Sequence, residues 1–207
     1  MIEKLSCYAN NHKGDEQVNI KLAIELCDTE NGVGIKEIVD NLSNKNKDIA
    51  NDCIKVLYEI GYRKPKLISE FVKVFINLLS SKNNRLVWGG MISLKTIAHI
   101  TTDEIFDNRR SIINAYKIGG TITIDNAISV LSLLASKNKE YEKEIFPILI
   151  DHIKTCEIKN IPQRAERMIV CVNDENKELF LKTIDKRIGD LSPTQLSRIN
   201  KLRKLCE

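Results

Sequence analysis

The residues best suited to acid–base or metal chemistry are three histidines, His12, His99 and His152. None has a second ligand four residues away. There is no His-Glu-x-x-His run and no cysteine–histidine cluster, so the spacing that a zinc site needs is missing. The six cysteines (Cys7, Cys27, Cys53, Cys156, Cys171 and Cys206) contain no Cys-x-x-Cys pair and follow no regular spacing. They read as free thiols of a reducing compartment. Cys53 and Cys171 fall on apolar helix faces, where they pack as small hydrophobes.

Two short glycine turns, "NGVG" at 31–34 and "IGG" at 118–120, could in principle approach a phosphate. Neither belongs to a Gly-x-Gly-x-x-Gly or P-loop pattern, and both lie between helices, so both are expected as C-caps. No Gly-x-Ser-x-Gly elbow occurs. The carboxylates of "KEYEKE" (139–144) look like the solvated first turn of a helix. No catalytic, cofactor-binding or metal-ligating set emerges, and the chain is expected not to be an enzyme.

The elements around these residues are helical. "DIANDCIKVLYEIG" puts Ile49, Cys53, Val56, Leu57 and Ile60 on one face, and "KLISEFVKVFINLL" does the same with Leu67, Ile68, Phe71, Val72, Phe75, Ile76 and Leu79. Steps of three and four residues are the helical period. The short "TITID" at 121–125 is expected to be a linker entering a helix, with Thr123 or Asp125 as its cap. At the end of the chain, Ser192, Pro193 and Gln195 form a capping-box pattern. Leu196, Ile199, Leu202 and Leu205 then make the apolar stripe of a capping helix over 191–207.

The pattern repeats. "LSNKNKDIANDCIKVL" (42–57) matches "LSSKNNRLVWGGMISL" (79–94) at an offset of 37 residues. The same step carries Leu94 to Leu131 and on to Met168, and carries Ile38, Val39 and Leu42 to Phe75, Ile76 and Leu79. Further steps reach Ile112, Ile113 and Tyr116, then Leu149, Ile150 and Ile153; Ile184 and Ile188 follow at a step of 35. A fixed period of this length is the signature of stacked helix pairs. With these repeats, over roughly residues 17–190, the chain resembles the HEAT-repeat (armadillo-like) family. The resemblance implies an all-α, right-handed α-solenoid of about five antiparallel helix pairs, one domain over 1–207 with 191–207 as its cap. It also implies an interaction scaffold that binds a protein partner through the concave face, which the second helix of each pair lines.

On that premise the polar columns of the second helices are the candidate partner site. Lys36, Lys73 and Arg110 share one column, which Pro147 interrupts and Lys182 continues. A second holds Asp40, Asn77, Asn114 and Asp151, then Lys186, and has as its alternative a structural role in hydrogen-bonding neighbouring repeats; a third holds Ser43, Ser80, Lys117 and Lys154. The surface leans basic and would suit an acidic protein segment, or as the alternative a phosphate backbone. The whole chain carries 32 Lys+Arg against 28 Asp+Glu, a net charge of +4, which neither demands nor excludes nucleic acid. A weaker third reading comes from DNA-alkylation repair proteins of HEAT-like build. These rely on an aromatic-lined basic cleft holding an acid, and here one Trp and 5% aromatics supply no aromatic cluster that the sequence places on one surface.

Two adjacent glycines interrupt the helix "RLVWGGMISLKTIAHI" (85–100). Each costs about 1 kcal/mol against alanine. Gly90 shares its column with small Cys53 and Ala127, which predicts a close helix–helix contact. Gly89 aligns with Asp52 and Asn126, is expected at the surface, and reads as tolerated, the alternative being that it leaves room for a neighbour or ligand beside Trp88. Trp88 is expected as a core or shoulder residue, and Lys55 and Lys95 as exposed on the convex side. No apolar run approaches the ~20 residues of a membrane span. The N-terminal stretch has no signal-peptide core, so a cytoplasmic location without cofactors is expected.

Overall fold

A computed structural model describes residues 1–8 and 15–206 (for Asp190, the backbone alone). Among these there is no β-strand. The chain divides into two compact units, Met1–Ala127 and Ile128–Glu207, and the division falls inside one helix.

In the first unit the helices are α1 (Glu16–Asp28), α2 (Gly32–Asp40), α3 (Lys47–Arg63), α4 (Val72–Leu78), α5 (Asn84–Ile97), α6 (Thr102–Asp107), α7 (Arg109–Ile118) and the start of α8 (Thr121–Ala135). The second unit holds the rest of α8, α9 (Lys139–Thr155), α10 (Ile161–Met168), α11 (Lys177–Asp185) and α12 (Pro193–Leu205). In the order of the sequence repeat, first and second helices follow one another as α1/α2, α3/α4, α5/α7, α8/α9 and α10/α11. The short α6 inserted into the third pair was not foreseen.

Local chemistry explains the starts. Asn46 and Asn83, 37 residues apart, both cap: their side chains accept from Asp48 N at 2.9 Å and Arg85 N at 3.1 Å, giving an orphan amide of each first turn its acceptor. Helix α3 ends where Pro65 pushes Lys64 out of helical dihedrals (φ −135°, ψ 72°). Its apolar face is buried as the period requires, with Ile49, Cys53, Val56, Leu57 and Ile60 at most 4% exposed. Side chains of that size contribute about 1.5–3 kcal/mol each on full burial. Within this unit α1, α3 and α5 pack one against the next as a layer, and α2 and α4 pack onto it.

In the second unit the core gathers Leu131, Leu134, Ile145, Leu149, Ile153, Ala165, Met168, Phe180 and Ile184. Helix α12 opens with the expected capping box. Ser192 N donates to Gln195 Oε1 at 3.0 Å, and Gln195 N donates to Ser192 Oγ at 3.4 Å. It packs on α10 through buried Ile199 and Leu202. Leu205, expected in the same stripe, is 74% exposed, because the helix reaches past the surface that its first turns cover.

Two local expectations are corrected. "TITID" is no linker: helix runs from Thr121, and both Thr123 and Asp125 are buried inside it rather than capping it. Threonine and isoleucine lower helix propensity by only tenths of a kcal/mol, which burial of the face outweighs. "NGVG" starts a helix instead of ending one, since Asn31 Oδ1 accepts from Gly34 N at 2.9 Å. The left-handed C-terminal position of α1 is taken by Glu30, with φ 48°. "IGG" does end a helix, with Gly119 as the C-cap of α7.

Candidate interaction surface

The eight residues expected to meet a partner all lie exposed on second helices. In the first unit Lys36 is on α2, Lys73 and Asn77 on α4, and Arg110, Asn114 and Lys117 on α7. In the second unit Lys154 is on α9 and Lys182 on α11. Lys36 is tied to Asp40 at 2.8 Å and Lys154 to Asp151 at 2.8 Å. Among the described residues Lys73, Arg110, Lys117 and Lys182 make no ion pair. Arg110, Asn114 and Lys117 sit at i, i+4 and i+7, so α7 presents them along one face.

The first-helix layer of the first unit carries a different arrangement, which the sequence reading missed. Lys55 of α3, expected at the surface, is buried, with only 7% of its side chain exposed. Its ammonium lies 2.9 Å from Glu59 and 3.1 Å from Glu16 of α1, and stands 4.8 Å above the Tyr58 ring. Glu59 also pairs with Arg63, and Glu16 with Arg85 of α5 at 2.9 Å. Burial works against both charges of the Lys55–Glu59 pair. Even so, the partners hold the Lys55 ammonium well above its ordinary pKa and the Glu59 carboxyl below its own. Hydrogen bonding from Lys55 likewise lowers Glu16, against burial and with Arg85 assisting.

Aromatic rings, for which the sequence placed no cluster on one surface, collect on the same layer. Tyr58 lies 6.1 Å edge-on from Tyr62 and 6.0 Å from Trp88. Arg85 stacks on Trp88 at 5.2 Å, and Lys95 lies over Tyr62 at 5.9 Å. The i, i+4 spacing of Tyr58 and Tyr62 was visible in the sequence. The meeting with Trp88 depends on how α3 and α5 cross, so it was not.

Trp88 also borders a largely apolar cavity of about 300 Å³, lined by Asn84, Trp88, Gly120, Thr121, Ile122 and Thr123. Beside it Ile122 is 50% exposed, and Ile118, two residues before Gly120, is 86% exposed.

The candidates for reaction chemistry are placed as follows. His99 is exposed just beyond α5, and His12 lies outside the described residues. His152 is buried in the second unit with its Nε2 3.0 Å from Arg164 Nη1. No group of three or more metal-ligating side chains forms among the described residues. All six cysteines are free thiols. Burial pushes Cys53 and Cys171 up to about 12. Burial and then Asp52 push Cys7 up to about 11. Of the "KEYEKE" run, Glu142 is half-buried rather than solvated, accepting from Asn173 at 2.9 Å and Asn176 at 3.0 Å. No helix among the described residues is long and apolar enough to cross a membrane.

No protein-family model and no curated protein sequence matches the chain. Solved structures do. A designed armadillo repeat protein in complex with the peptide (KR)4 superposes with a TM-score of 0.70 at 11% identity, covering 100% of this chain and 98% of that one. A second designed armadillo repeat protein gives 0.66 at 11% identity over 100% and 98%. An engineered protein gives 0.65 at 14% identity, with the same coverage. The chain therefore has an all-α, armadillo- or HEAT-like solenoid fold.

Proposed function

We propose that the protein is a non-catalytic interaction scaffold, one helical-repeat domain over 1–207, that holds an acidic segment of a protein partner on the concave face lined by its second helices. The observation that carries this reading is the state of the cations. On the first-helix layer Lys55, Arg63 and Arg85 are already committed to Glu16 and Glu59. On the second helices Lys73, Arg110 and Lys117 are exposed and make no ion pair among the described residues. A partner's carboxylates can engage these without first breaking an internal pair. Asn77 and Asn114 add amides that can bond to an extended backbone. Lys36 in the same unit would have to exchange Asp40 for a partner carboxylate; in the second unit Lys182 is exposed without an ion pair among the described residues, while Lys154 is held by Asp151. The fold is shared with a designed protein that is in complex with a peptide. A location in the cytoplasm suits six free thiols.

The second reading is a nucleic-acid partner, favoured by the run of Arg85, Trp88, Tyr58 and Tyr62. It is the weaker one, because phosphates would have to win Arg85 from Glu16.

The test compares two faces of one unit. Lys73→Glu with Arg110→Glu should abolish capture of the partner and remove its steep salt dependence, without a large fall in melting temperature. The control pair Lys21→Glu with Lys47→Glu reverses two exposed first-helix lysines and should leave capture intact. Equal behaviour of the two pairs would end the proposal, and loss of all capture after nuclease would favour nucleic acid.

A further inference from the structure

We propose that the cavity beside Trp88 is a binding site for a small aromatic carboxylate, a ligand outside the scaffold reading and independent of it. The cavity holds about 300 Å³ and lies within the first unit, between Asn84 and Trp88 of α5 and Gly120, Thr121, Ile122 and Thr123 at the start of α8. Pockets for small ligands begin at about that volume, so it suits a molecule built on one ring.

Two independent features of the lining ask for an anion. The first is the start of α8, a helix of 15 residues. Its hydrogen-bond ladder opens with Ile124 N donating to Gly120 O at 3.0 Å, and the amides of Thr121, Ile122 and Thr123 make no hydrogen bond among the described residues. Gly120 before them has no side chain to cap them, and no acidic residue stands in the first turn. Free amides at the positive end of a helix dipole take an anion. The second feature is Thr123. It is 1% exposed and lines the cavity, yet its hydroxyl makes no hydrogen bond among the described residues. A buried hydroxyl without a partner carries a desolvation cost that an acceptor in the cavity would remove.

The rest of the lining narrows the ligand. No charged side chain belongs to it, so nothing there would balance a phosphate dianion on leaving water. A carboxylate spreads one charge over two oxygens, which two or three N–H and O–H donors can match. The remaining wall is the Trp88 indole, with Ile122 at 50% exposure beside it. An aromatic ring packed on an indole gains more than its buried area alone supplies.

The isotope-labelled full chain is titrated with phenylacetate, with phenethyl alcohol and with phenyl phosphate, and followed by amide and indole N–H resonances. Trp88 is the only tryptophan, so its indole signal needs no sorting. Phenylacetate should move the Ile122, Thr123 and Trp88 signals together and saturably. Phenethyl alcohol keeps the ring and loses the charge, and should bind about tenfold more weakly. Thr121→Glu sets a carboxylate on the same free amides. It should hold or raise the melting temperature, because an acid suits that helix end, while weakening phenylacetate about tenfold. Thr123→Val removes the unpartnered hydroxyl at nearly constant volume. It should keep the melting temperature and weaken phenylacetate several-fold. A short peptide ending in phenylalanine, as free acid and as amide, separates two sources of one chemistry. Tighter binding of the free acid than of phenylacetate assigns the site to a partner's chain end, and the reverse assigns it to a free small molecule.

The proposal is overturned if phenylacetate and phenethyl alcohol bind alike, if phenyl phosphate binds more tightly than phenylacetate, or if either variant leaves phenylacetate binding unchanged. It is overturned equally if no signal moves by about 10 mM phenylacetate, the weakest affinity expected of so small a ligand. None of these outcomes bears on the acidic segment, which Lys73→Glu with Arg110→Glu tests separately.

Discussion

Gly89 of α5 faces Ile54 of α3 so closely that a methyl group on it would stand 2.5 Å from Ile54 Cγ1. Its neighbour Gly90 faces the other way, where the same methyl would meet Leu78 Cβ and the Phe75 carbonyl oxygen of α4, each at 3.1 Å. Adjacent helical residues point about 100° apart, so one glycine admits each neighbouring helix. The pair that looked half-gratuitous in sequence is needed twice, and Gly89, expected at the surface, is buried at the tighter of the two contacts.

Gly89→Ala should therefore destabilise the protein by about 1–3 kcal/mol through overpacking, despite alanine's better helix propensity. Gly90→Ala should cost less, and Gly90→Leu again about 1–3 kcal/mol. Urea midpoints at constant slope measure this. A midpoint for Gly89→Ala at or above that of the wild type would refute the contact.

Lys55→Ala strips the ammonium from between Glu59 and Glu16. Arg63 still pairs with Glu59, so the loss should fall near the low end of the range for broken buried pairs, about 3 kcal/mol. Lys21→Ala, on the exposed face of α1, should stay within about 0.5 kcal/mol of the wild type. Chemical denaturation of the two variants side by side decides it.

The same network sets a pH dependence. Glu59 and Glu16 have folded pKa values below their unfolded ones. Their contribution is thus fully present above the unfolded carboxyl value of about 4.3 and is lost as pH falls through the folded values. The stability gap between the wild type and Lys55→Met should be constant near neutrality and close progressively below about pH 4.3. A gap that persists unchanged in acid would mean that the ion pairs are not its source.

Glu30 closes α1 in a left-handed conformation, φ 48°, with Asn31 N donating to Leu26 O at 3.2 Å and Glu30 N to Cys27 O at 3.3 Å. That hydrogen-bond pattern ordinarily takes glycine. Glu30→Gly should raise the melting temperature, since it removes backbone strain and gives up only an exposed pair with Lys64. A lowered melting temperature would show that the Lys64 pair outweighs the strain.

Thiol reactivity should follow burial. Cys53 and Cys171, at about 12, should resist alkylation at pH 8 until denaturant is added. Cys206, partly exposed at the end of α12, should be modified first. Mapping the modified cysteines by mass spectrometry over time gives the order directly.

The sequence by itself determined the helical class and the repeat. A 37-residue recurrence of apolar three- and four-residue steps names the buried face of each helix, and Ile49, Val56, Ile60, Phe75, Leu94 and Leu131 are buried accordingly. Capping chemistry is local, so Asn83 and Ser192 could be read from composition around the helix start. Only tertiary structure decided how near one helix comes to the next. The columns assume identical repeats, and periodicity carries angle but not distance. Gly89 and Lys55 each sat at angles that suited solvent. The close packing of α1, α3 and α5 covered them, turning Lys55 into a buried ion-pair centre and bringing Trp88 against Tyr58. A surface that depends on which side chains a neighbouring helix leaves uncovered is written in the crossing of helices, and no single helix's sequence contains that crossing.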